Sequence, residues 1–259
     1  KVAPDGRIYV GSQNDFGYYY PNTAGVLEYT SLKKHIPPGQ AEFADIWNIA
    51  LYDSGVYFRS NNKIFAWRNG RIRVYNAPGE WKIMGSTAHG LYAQDINQGL
   101  LKLVNGSWQS VCPGTSGKQL LITAFPEEKN DTLLVATLKD GLYRISGRQL
   151  IPQPTDADDI FRNSRIYCDI ALKNEQLAVG TFSKGCYIIN GASGIVVQQF
   201  SMDEGLQNNN VLKLFADPKQ NIWLALDNGI DQLRYNTAIK QILPDKHNSL
   251  TTYAALVFE

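Results

Sequence analysis

The residues that could carry out metal or thiol chemistry are few and lie far apart in the sequence. The three cysteines, Cys112, Cys168 and Cys186, form no Cys-x-x-Cys pair, and only three histidines are present. Zinc sites normally use closely spaced cysteine and histidine ligands. We therefore predict no metal site and no cofactor, and we expect the cysteines to be buried free thiols. Their odd number leaves the redox state open.

Carboxylates offer a second possible chemistry. The densest group is Asp156, Asp158 and Asp159, but it lacks the spacing of an EF-hand, and we expect a solvated loop there. No P-loop, G-x-S-x-G elbow, H-E-x-x-H motif or dinucleotide fingerprint is present. We predict binding without turnover. The carboxylate pair of a glycosidase could still be assembled from loops that are distant in sequence, so an enzyme stays an alternative.

The composition narrows the class of protein. The chain has 259 residues, with 25 Lys and Arg against 24 Asp and Glu, and a net charge of +1. This balance argues against binding to nucleic acid or to an anionic membrane surface, which needs clustered basic charge. Hydrophobic residues make up 44% of the chain, yet no apolar run is long enough to span a bilayer. We expect a folded segment that does not insert into the membrane.

One local pattern recurs along the whole chain: an apolar strand, a short polar turn that usually contains glycine, and a second apolar strand. Successive copies are separated by 48, 35, 42, 44 and 45 residues. A period in the low forties that is made of short strands is typical of a β-propeller with one blade per repeat. We predict an all-β propeller of six four-stranded repeats. The equivalent positions are Gly11, Arg59, Gln94, Ala136, Gly180 and Ala225.

The predicted repeats form a single domain over residues 1–259. They lie near residues 5–32, 43–79, 81–114, 118–158, 163–206 and 209–245. The first repeat lacks an inner strand, and residues 252–258 form a strand without a blade. We expect residues 252–258 to pair with residues 8–11 and so close the ring, which removes exposed sheet edges. The alternative is a piece of a larger propeller, cut within a blade at both ends.

The polar turns between the second and third strands form the predicted ligand face. Equivalent turns of equivalent blades lie at the same end of a propeller, around the mouth of the central channel. Their amides, carboxylates and amines suit the hydroxyls and charges of a sugar chain. Hairpin turns also favour Asn and Asp for backbone reasons alone. The candidate residues are Asn14, Asp15, Asn61, Asn62, Asp95, Asn97, Lys139, Asp140, Lys184, Asp227 and Asn228.

Aromatic and basic side chains complete the predicted site. Trp47 and Trp81 begin inner strands, and Phe16 lies in a turn on the same face, so each could stack on a sugar ring. Packing between blades is the alternative role for all three. Arg165 enters an inner strand close to Arg162 and could bind an anionic group, with solvent exposure as its alternative.

Residues 221–230 (NIWLALDNGI) resemble the two-component regulator propeller repeat. Trp223, Leu224, Asn228, Gly229 and Ile230 match its pattern, and alanine stands where the family usually has glycine. Residues 134–142 and 177–186 are weaker copies, and residues 6–18 and 43–58 also look like segments of these sensors. The resemblance implies a propeller in the periplasm of a bacterial regulator. In that family a β-sandwich, a transmembrane helix and a histidine kinase or helix-turn-helix module follow.

Together these observations predict an extracytoplasmic, periplasmic sensing domain of a transmembrane regulator. We expect it to bind an oligosaccharide or another small molecule and to contact a second propeller or a second copy of itself. Two alternatives remain: a propeller enzyme, such as a lyase or glycosidase, and a protein-interaction scaffold. A carboxylate pair in an open cleft would favour the enzyme, and a large apolar patch would favour the scaffold.

Overall fold

The computed structural model describes residues 1–112, 120–129 and 131–235. Within these residues the chain forms six antiparallel sheets, four with four strands and two with three. Strands follow one another in sequence order across each sheet. The first strands of consecutive sheets contact one another around a central channel. The predicted all-β, six-blade propeller is therefore confirmed, and each sheet is one blade.

The strands of the first three blades have the following bounds. Blade 1 contains β1 (Ile8–Ser12), β2 (Asp15–Pro21) and β3 (Leu27–Ser31). Blade 2 contains β4 (Asn48–Tyr52), β5 (Gly55–Arg59), β6 (Lys63–Arg68) and β7 (Arg71–Asn76). Blade 3 contains β8 (Trp81–Ser86), β9 (Leu91–Asp95), β10 (Gly99–Val104) and β11 (Ser107–Cys112).

The other three blades complete the described ring. Blade 4 contains β12 (Ile122–Lys129), β13 (Thr132–Thr137), β14 (Leu142–Ser146) and β15 (Gln149–Gln153). Blade 5 contains β16 (Ile166–Ala171), β17 (Gln176–Thr181), β18 (Cys186–Asn190) and β19 (Val196–Phe200). Blade 6 contains β20 (Val211–Ala216), β21 (Ile222–Leu226) and β22 (Gly229–Leu233). We call β4, β8, β12, β16 and β20 the inner strands.

Local sequence explains the hairpins. In β7, Ile72 is buried whereas Arg71 and Arg73 are exposed, which is the alternation expected of a strand. The turn before β7 has Asn69 at φ 50° and Gly70 at φ 74°. Asparagine and glycine tolerate this left-handed region, so the pair closes a two-residue hairpin with the twist that the strands need.

The hydrophobic core lies between neighbouring blades. Each of five buried clusters joins side chains of two consecutive blades, from blades 1 and 2 to blades 5 and 6. Between blades 1 and 2, the buried ring of Phe16 lies 4.5 Å from that of Phe58 and 4.9 Å from that of Phe65, between ring centroids. This packing fixes each blade against the next and so sets the width of the channel.

The inner edge of blade 1 is occupied by the first residues of the chain. Val2 forms an antiparallel bridge with Ile8, the Lys1 amino group donates to Tyr9 O at 2.8 Å, and Tyr9 N donates to Lys1 O at 2.7 Å. Residues 252–258, which we predicted to pair with residues 8–11, lie outside the described residues. Their pairing stays a prediction, and it concerns an edge that Lys1 already contacts at Tyr9.

Helix is scarce, as the sequence indicated. Among the described residues there is one α-helix, α1 (Asp158–Ser164), which connects blades 4 and 5. The expected solvated loop at the aspartate cluster is therefore wrong in part. Asp158 accepts hydrogen bonds from Thr155 N and Oγ1, and Arg162 pairs with Asp159 at 2.6 Å. Acidic residues favour the start of a helix because they interact with its N-terminal partial charge. No helix in the described ranges has the length and apolar character needed to cross a membrane.

Candidate functional site

The turns between second and third strands lie beside the starts of inner strands. Trp81 N donates to Asn61 O at 2.8 Å, which links the turn of blade 2 to the inner strand of blade 3. Ile166 N donates to Leu138 O in the same way at 3.1 Å, which links the turn of blade 4 to the inner strand of blade 5. These contacts bring the predicted turns and the inner-strand starts to one end of the ring, which we call the turn face.

Several side chains on the turn face form hydrogen bonds within their own turns and so stabilise the fold. Asp95 is buried, and its carboxylate accepts hydrogen bonds from Asn97 N, Gln98 N and Gly79 N, each at 2.9 Å. Side-chain oxygens one residue after the equivalent repeat position bond to their own turn in four other blades. Those residues are Ser12, Ser60, Thr137 and Thr181.

The turn of blade 1 is tied to its neighbouring strand. Asp15 accepts hydrogen bonds from Ser31 Oγ at 2.7 Å and Tyr29 OH at 3.0 Å. Burial and this carboxylate raise the pKa of Tyr29 to about 12. Asn14 accepts from Lys33 Nζ at both its carbonyl and its side chain. Both predicted ligand residues therefore already have intramolecular partners.

The turn of blade 2 has a similar arrangement. Asn61 Oδ1 accepts from the Arg59 guanidinium at 3.3 Å, and Asn62 Oδ1 accepts from Ser60 Oγ at 2.9 Å. The buried Arg59 also donates to Trp81 O at 2.8 Å. These contacts support the alternative weighed for the turns, in which Asn and Asp serve the backbone.

Two predicted aromatic contacts need correction. Phe16 is completely buried between blades 1 and 2, and Trp81 is 1% exposed with its ring 5.4 Å from that of Trp108. A ligand cannot stack on a ring that has no free face. Both side chains contribute to the core, which was the alternative role considered for them.

The remaining predicted residues are exposed. Trp47 is 60% exposed, and Arg165, Lys184 and both residues of the blade 4 turn are exposed as well. Arg165 O accepts from Phe182 N at 3.1 Å, and the turn of blade 4 contacts the following strand. The exposed predicted residues are Trp47, Asn97, Lys139, Asp140, Arg165, Lys184, Asp227 and Asn228.

Four inner strands begin with a β-bulge, and Trp47 aligns with the bulge residue of those strands, whereas the buried Trp81 lies one residue before it. In each of these strands the second residue has no partner on the neighbouring strand. In blade 3, Lys82 is left unpaired between Trp81 and Ile83, and in blade 5 Tyr167 is left unpaired between Ile166 and Cys168. A bulge leaves one residue outside the ladder and turns its side chain. In blade 2 the equivalent residue is Trp47, which directly precedes Asn48, the first residue of β4. We call Trp47 and the four bulge residues the mouth residues: Trp47, Lys82, Thr123, Tyr167 and Leu212.

The channel contains a cavity of about 350 Å³ lined by the inner strands of blades 2 to 6. Trp47 lies in its wall together with Thr123, Phe125, Asp169 and Lys213. A tryptophan face, a hydroxyl, a carboxyl and an amine thus line one cavity. This combination of one apolar platform and a few polar groups is typical of small-molecule binding sites. We call this cavity and the five mouth residues the channel site.

Asp169 is the unusual group of the channel site. Its Oδ2 is buried and has no hydrogen-bond partner among the described residues. Burial raises the pKa of this carboxyl to about 8, although the positive charge of Lys213 acts in the opposite direction. A carboxyl with such a pKa carries its proton at neutral pH and can donate a hydrogen bond. No sequence motif marks Asp169, which is a single aspartate within a strand.

Sequence reasoning also missed an aromatic pair on the turn face. Tyr167 is 47% exposed and Phe182 is 46% exposed, and their ring centroids are 6.2 Å apart. Phe182 N donates to Ser164 O and Arg165 O, so this pair lies beside the predicted Arg165. Tyr167 is a bulge residue, and nothing in its sequence context marks it as different from an ordinary strand residue.

The described residues offer no metal centre. No group of three or more His, Cys, Asp or Glu side chains converges among them. The three cysteines are buried free thiols, as predicted. Burial raises the pKa of Cys168 to about 12 and also raises that of Cys186, so neither thiol is a reactive thiolate.

Comparison with solved structures finds similarity to extracellular domains of bacterial signalling proteins. The extracellular domain of BT4673 from B. thetaiotaomicron, described as a one-component system and also as a hybrid two-component system, aligns with 92% of this chain. The TM-score is 0.70 and the sequence identity is 21%. The predicted resemblance to two-component regulator propellers is confirmed. The chain spans 32% of the length of that structure.

Two further comparisons give a partial sequence match and a shared fold. A stretch of 96 residues is 29% identical to Histidine kinase P4 of Formosa agariphila and spans 36% of this chain and 7% of that protein. The WD40 propeller of Doa1 aligns with 87% of the chain at 10% identity and a TM-score of 0.66, which shows a shared propeller fold alone. No family model matches the chain.

Proposed function

We propose that this chain is the ligand-sensing propeller of a bacterial membrane-bound signalling protein, that it lies outside the cytoplasm, and that its channel site binds an oligosaccharide. The observation that carries the proposal is Trp47, a tryptophan that is 60% exposed in the wall of the channel cavity. Exposing so large an apolar ring costs free energy of hydration, which a stacked ligand would recover.

The polar groups of the channel site fit a sugar better than an apolar ligand. Thr123 and the protonated carboxyl of Asp169 can donate and accept hydrogen bonds, and Lys213 donates. Sugar hydroxyls need this mixture, and the flat face of Trp47 suits the apolar face of a sugar ring. The exposed Arg165 at the mouth adds a group for a carboxylate or sulfate substituent.

The arrangement supports binding rather than hydrolysis. Among the described residues that line the cavity, Asp169 is the single carboxylate. Two-carboxylate glycosidases need a second acid about 5–10 Å away. Signalling would instead require that the ligand bind two packing states of the protein with different affinity. Contacts with a second propeller or a second copy of the chain are where we expect those states to differ.

The proposal is tested by calorimetry with a panel of oligosaccharides. We expect Trp47→Ala to weaken binding of an active glycan by about 1–3 kcal/mol while the fold survives. Trp223→Ala, which removes a partly exposed tryptophan of blade 6 outside the cavity, is the matched control and should leave the affinity unchanged.

Two results would contradict the proposal. Unchanged affinity in both Trp47→Ala and Arg165→Ala would place the ligand elsewhere, most simply at an interface with a second propeller. Reproducible release of reducing ends or unsaturated products, abolished by Asp169→Asn, would show an enzyme in place of a sensor.

A further inference from the structure

A second cavity lies between blades 2 and 3, at the end of the ring opposite the turn face. Its volume is about 720 Å³. The walls come from the turn after β4, from β7 and from the turn after β10, and these elements meet at that end because the strands are antiparallel. We call it the blade 2–3 cleft. Its size lies within the range of small-molecule sites.

The cleft carries more positively charged side chains than carboxylates that pair with them. Arg68 and Arg71 are directly opposite each other across the β6–β7 hairpin, and Arg73 follows on the same face of β7. Asp53 pairs with Arg68 at 2.9 Å. Neither Arg71 nor Arg73 pairs with a carboxylate within the part of the chain that the structure describes. Like charges opposite each other destabilise a sheet, so this arrangement gains stability when an anion binds.

The structure holds Arg73 in place against the cleft wall. Its Cζ lies 4.9 Å from the centre of the Tyr75 ring. Its Nη1 occupies the space beside Gly106, where a Cβ would come within 2.7 Å. Gly106 has φ 75° in an Asn-Gly turn, so the glycine both forms the turn and leaves room for the guanidinium. A guanidinium that is already positioned loses less entropy when it binds an anion.

Three tyrosines provide the remaining polar surface. Tyr52, Tyr57 and Tyr75 line the cleft, and none of their hydroxyls forms a hydrogen bond within the described ranges. Burial raises the pKa of Tyr57 and of Tyr75, so both hydroxyls stay protonated and can donate. Tyr57 is buried, so the half-buried rings of Tyr52 and Tyr75 provide the stacking surface. These rings and the hydroxyls beside the guanidinium groups match sugar units that carry acidic substituents.

We propose that the blade 2–3 cleft binds an acidic oligosaccharide, whose carboxylate or sulfate groups are held by Arg71 and Arg73. This is a second site, separate from the channel site and on the opposite face. An acidic peptide is less favoured, because the partly exposed rings of Tyr52 and Tyr75 offer flat faces that suit sugar rings, and peptide binding is one outcome of the test.

The test uses calorimetry with hexagalacturonate, chemically sulfated maltohexaose and unmodified maltohexaose. We expect the two acidic sugars to bind, with affinity that falls as salt increases, and the neutral sugar to bind at least tenfold more weakly. The double variant Arg71→Ala/Arg73→Ala should lose at least about tenfold in affinity for the acidic sugars. The control, Arg148→Ala/Arg162→Ala, removes two exposed arginines from blade 4 and helix α1, and should lose less than twofold.

Several outcomes would overturn the inference. Equal binding of neutral and acidic maltohexaose would remove the role of charge, and equal loss in the control double variant would show non-specific attraction. Hexaglutamate binding as tightly as hexagalacturonate would favour a peptide, and competition by sodium sulfate at equal concentration would indicate a small-anion site. Loss in Trp47→Ala without loss in Arg71→Ala/Arg73→Ala would place the acidic sugar in the channel site, which would leave the proposed function standing.

Discussion

Asp169 shows how the channel changes the chemistry of a single residue. Its Oδ2 lacks a hydrogen-bond partner among the described residues, and its pKa is raised to about 8 by burial. An unfolded chain would ionise the same carboxyl near pH 4. The folded state therefore holds a proton that the unfolded state has already released between these two pH values.

This difference predicts how stability depends on pH. Because the folded state binds more protons between about pH 4 and pH 8, stability falls as pH rises through that window and stays low above it. Asp169→Asn removes the titration, so we expect its melting temperature to exceed that of the wild type at pH 9 and to approach it at pH 4. Thermal melts followed by circular dichroism would measure this. Asp140→Asn, at an exposed turn, is the control and should show no such crossover, and a parallel pH profile for both variants would contradict the prediction.

At the scale of the elements, one repeat position governs how each blade meets the next. Gly11 and Gly180 leave room for Ile46 and Val211, since a Cβ on either glycine would come within 2.7 Å of those side chains. In blade 2 the equivalent Arg59 instead donates to the first residue of the next inner strand. The repeat position of one blade therefore contacts the next inner strand by close packing in some blades and by a hydrogen bond in others.

The close approach at Gly180 predicts a cost for any larger residue. In Gly180→Ala the new Cβ would lie 2.7 Å from both Cys168 Sγ and Val211 Cγ1, so the blades must separate. We expect the free energy of unfolding to fall by about 1–3 kcal/mol. Urea unfolding would measure it, with Gly191→Ala as a control, where the nearest atom is 3.2 Å away and a smaller loss is expected. Equal losses at the two sites would show a general effect of replacing glycine.

Much of this element-scale organisation could be predicted from the sequence. The six strand–turn–strand copies and their glycines report the blades, because alternation and turn chemistry are local properties. The bulges could not be predicted, because a one-residue break in register changes no residue type. The position relative to that break separates two similar tryptophans: the exposed Trp47 is equivalent to the bulge residue Lys82, and the buried Trp81 lies one residue before Lys82. The site was therefore predicted only in part.

The whole molecule depends on how the ring is completed between blades 6 and 1. Lys1 bonds to the inner edge of β1 at Tyr9, and residues 252–258 are predicted to pair along the same strand. Two deletions distinguish these contributions. If residues 252–258 form the closing strand, removal of residues 252–259 should lower the melting temperature more than removal of residues 1–3, because it opens the ring. An unchanged melting temperature after the C-terminal deletion would rule out the predicted closing strand.

The bulges have one further consequence for the molecule. A side chain that stands outside the hydrogen-bond ladder makes no contribution to pairing, so replacing it alters the mouth of the channel without altering the sheet. Four successive blades present one such side chain each, an amine, a hydroxyl, a phenol and an isobutyl group, and blade 2 presents the indole of Trp47 directly before its inner strand. A new ligand preference can therefore arise by substitution at these positions, one blade at a time, while selection for stability acts on a separate set of residues.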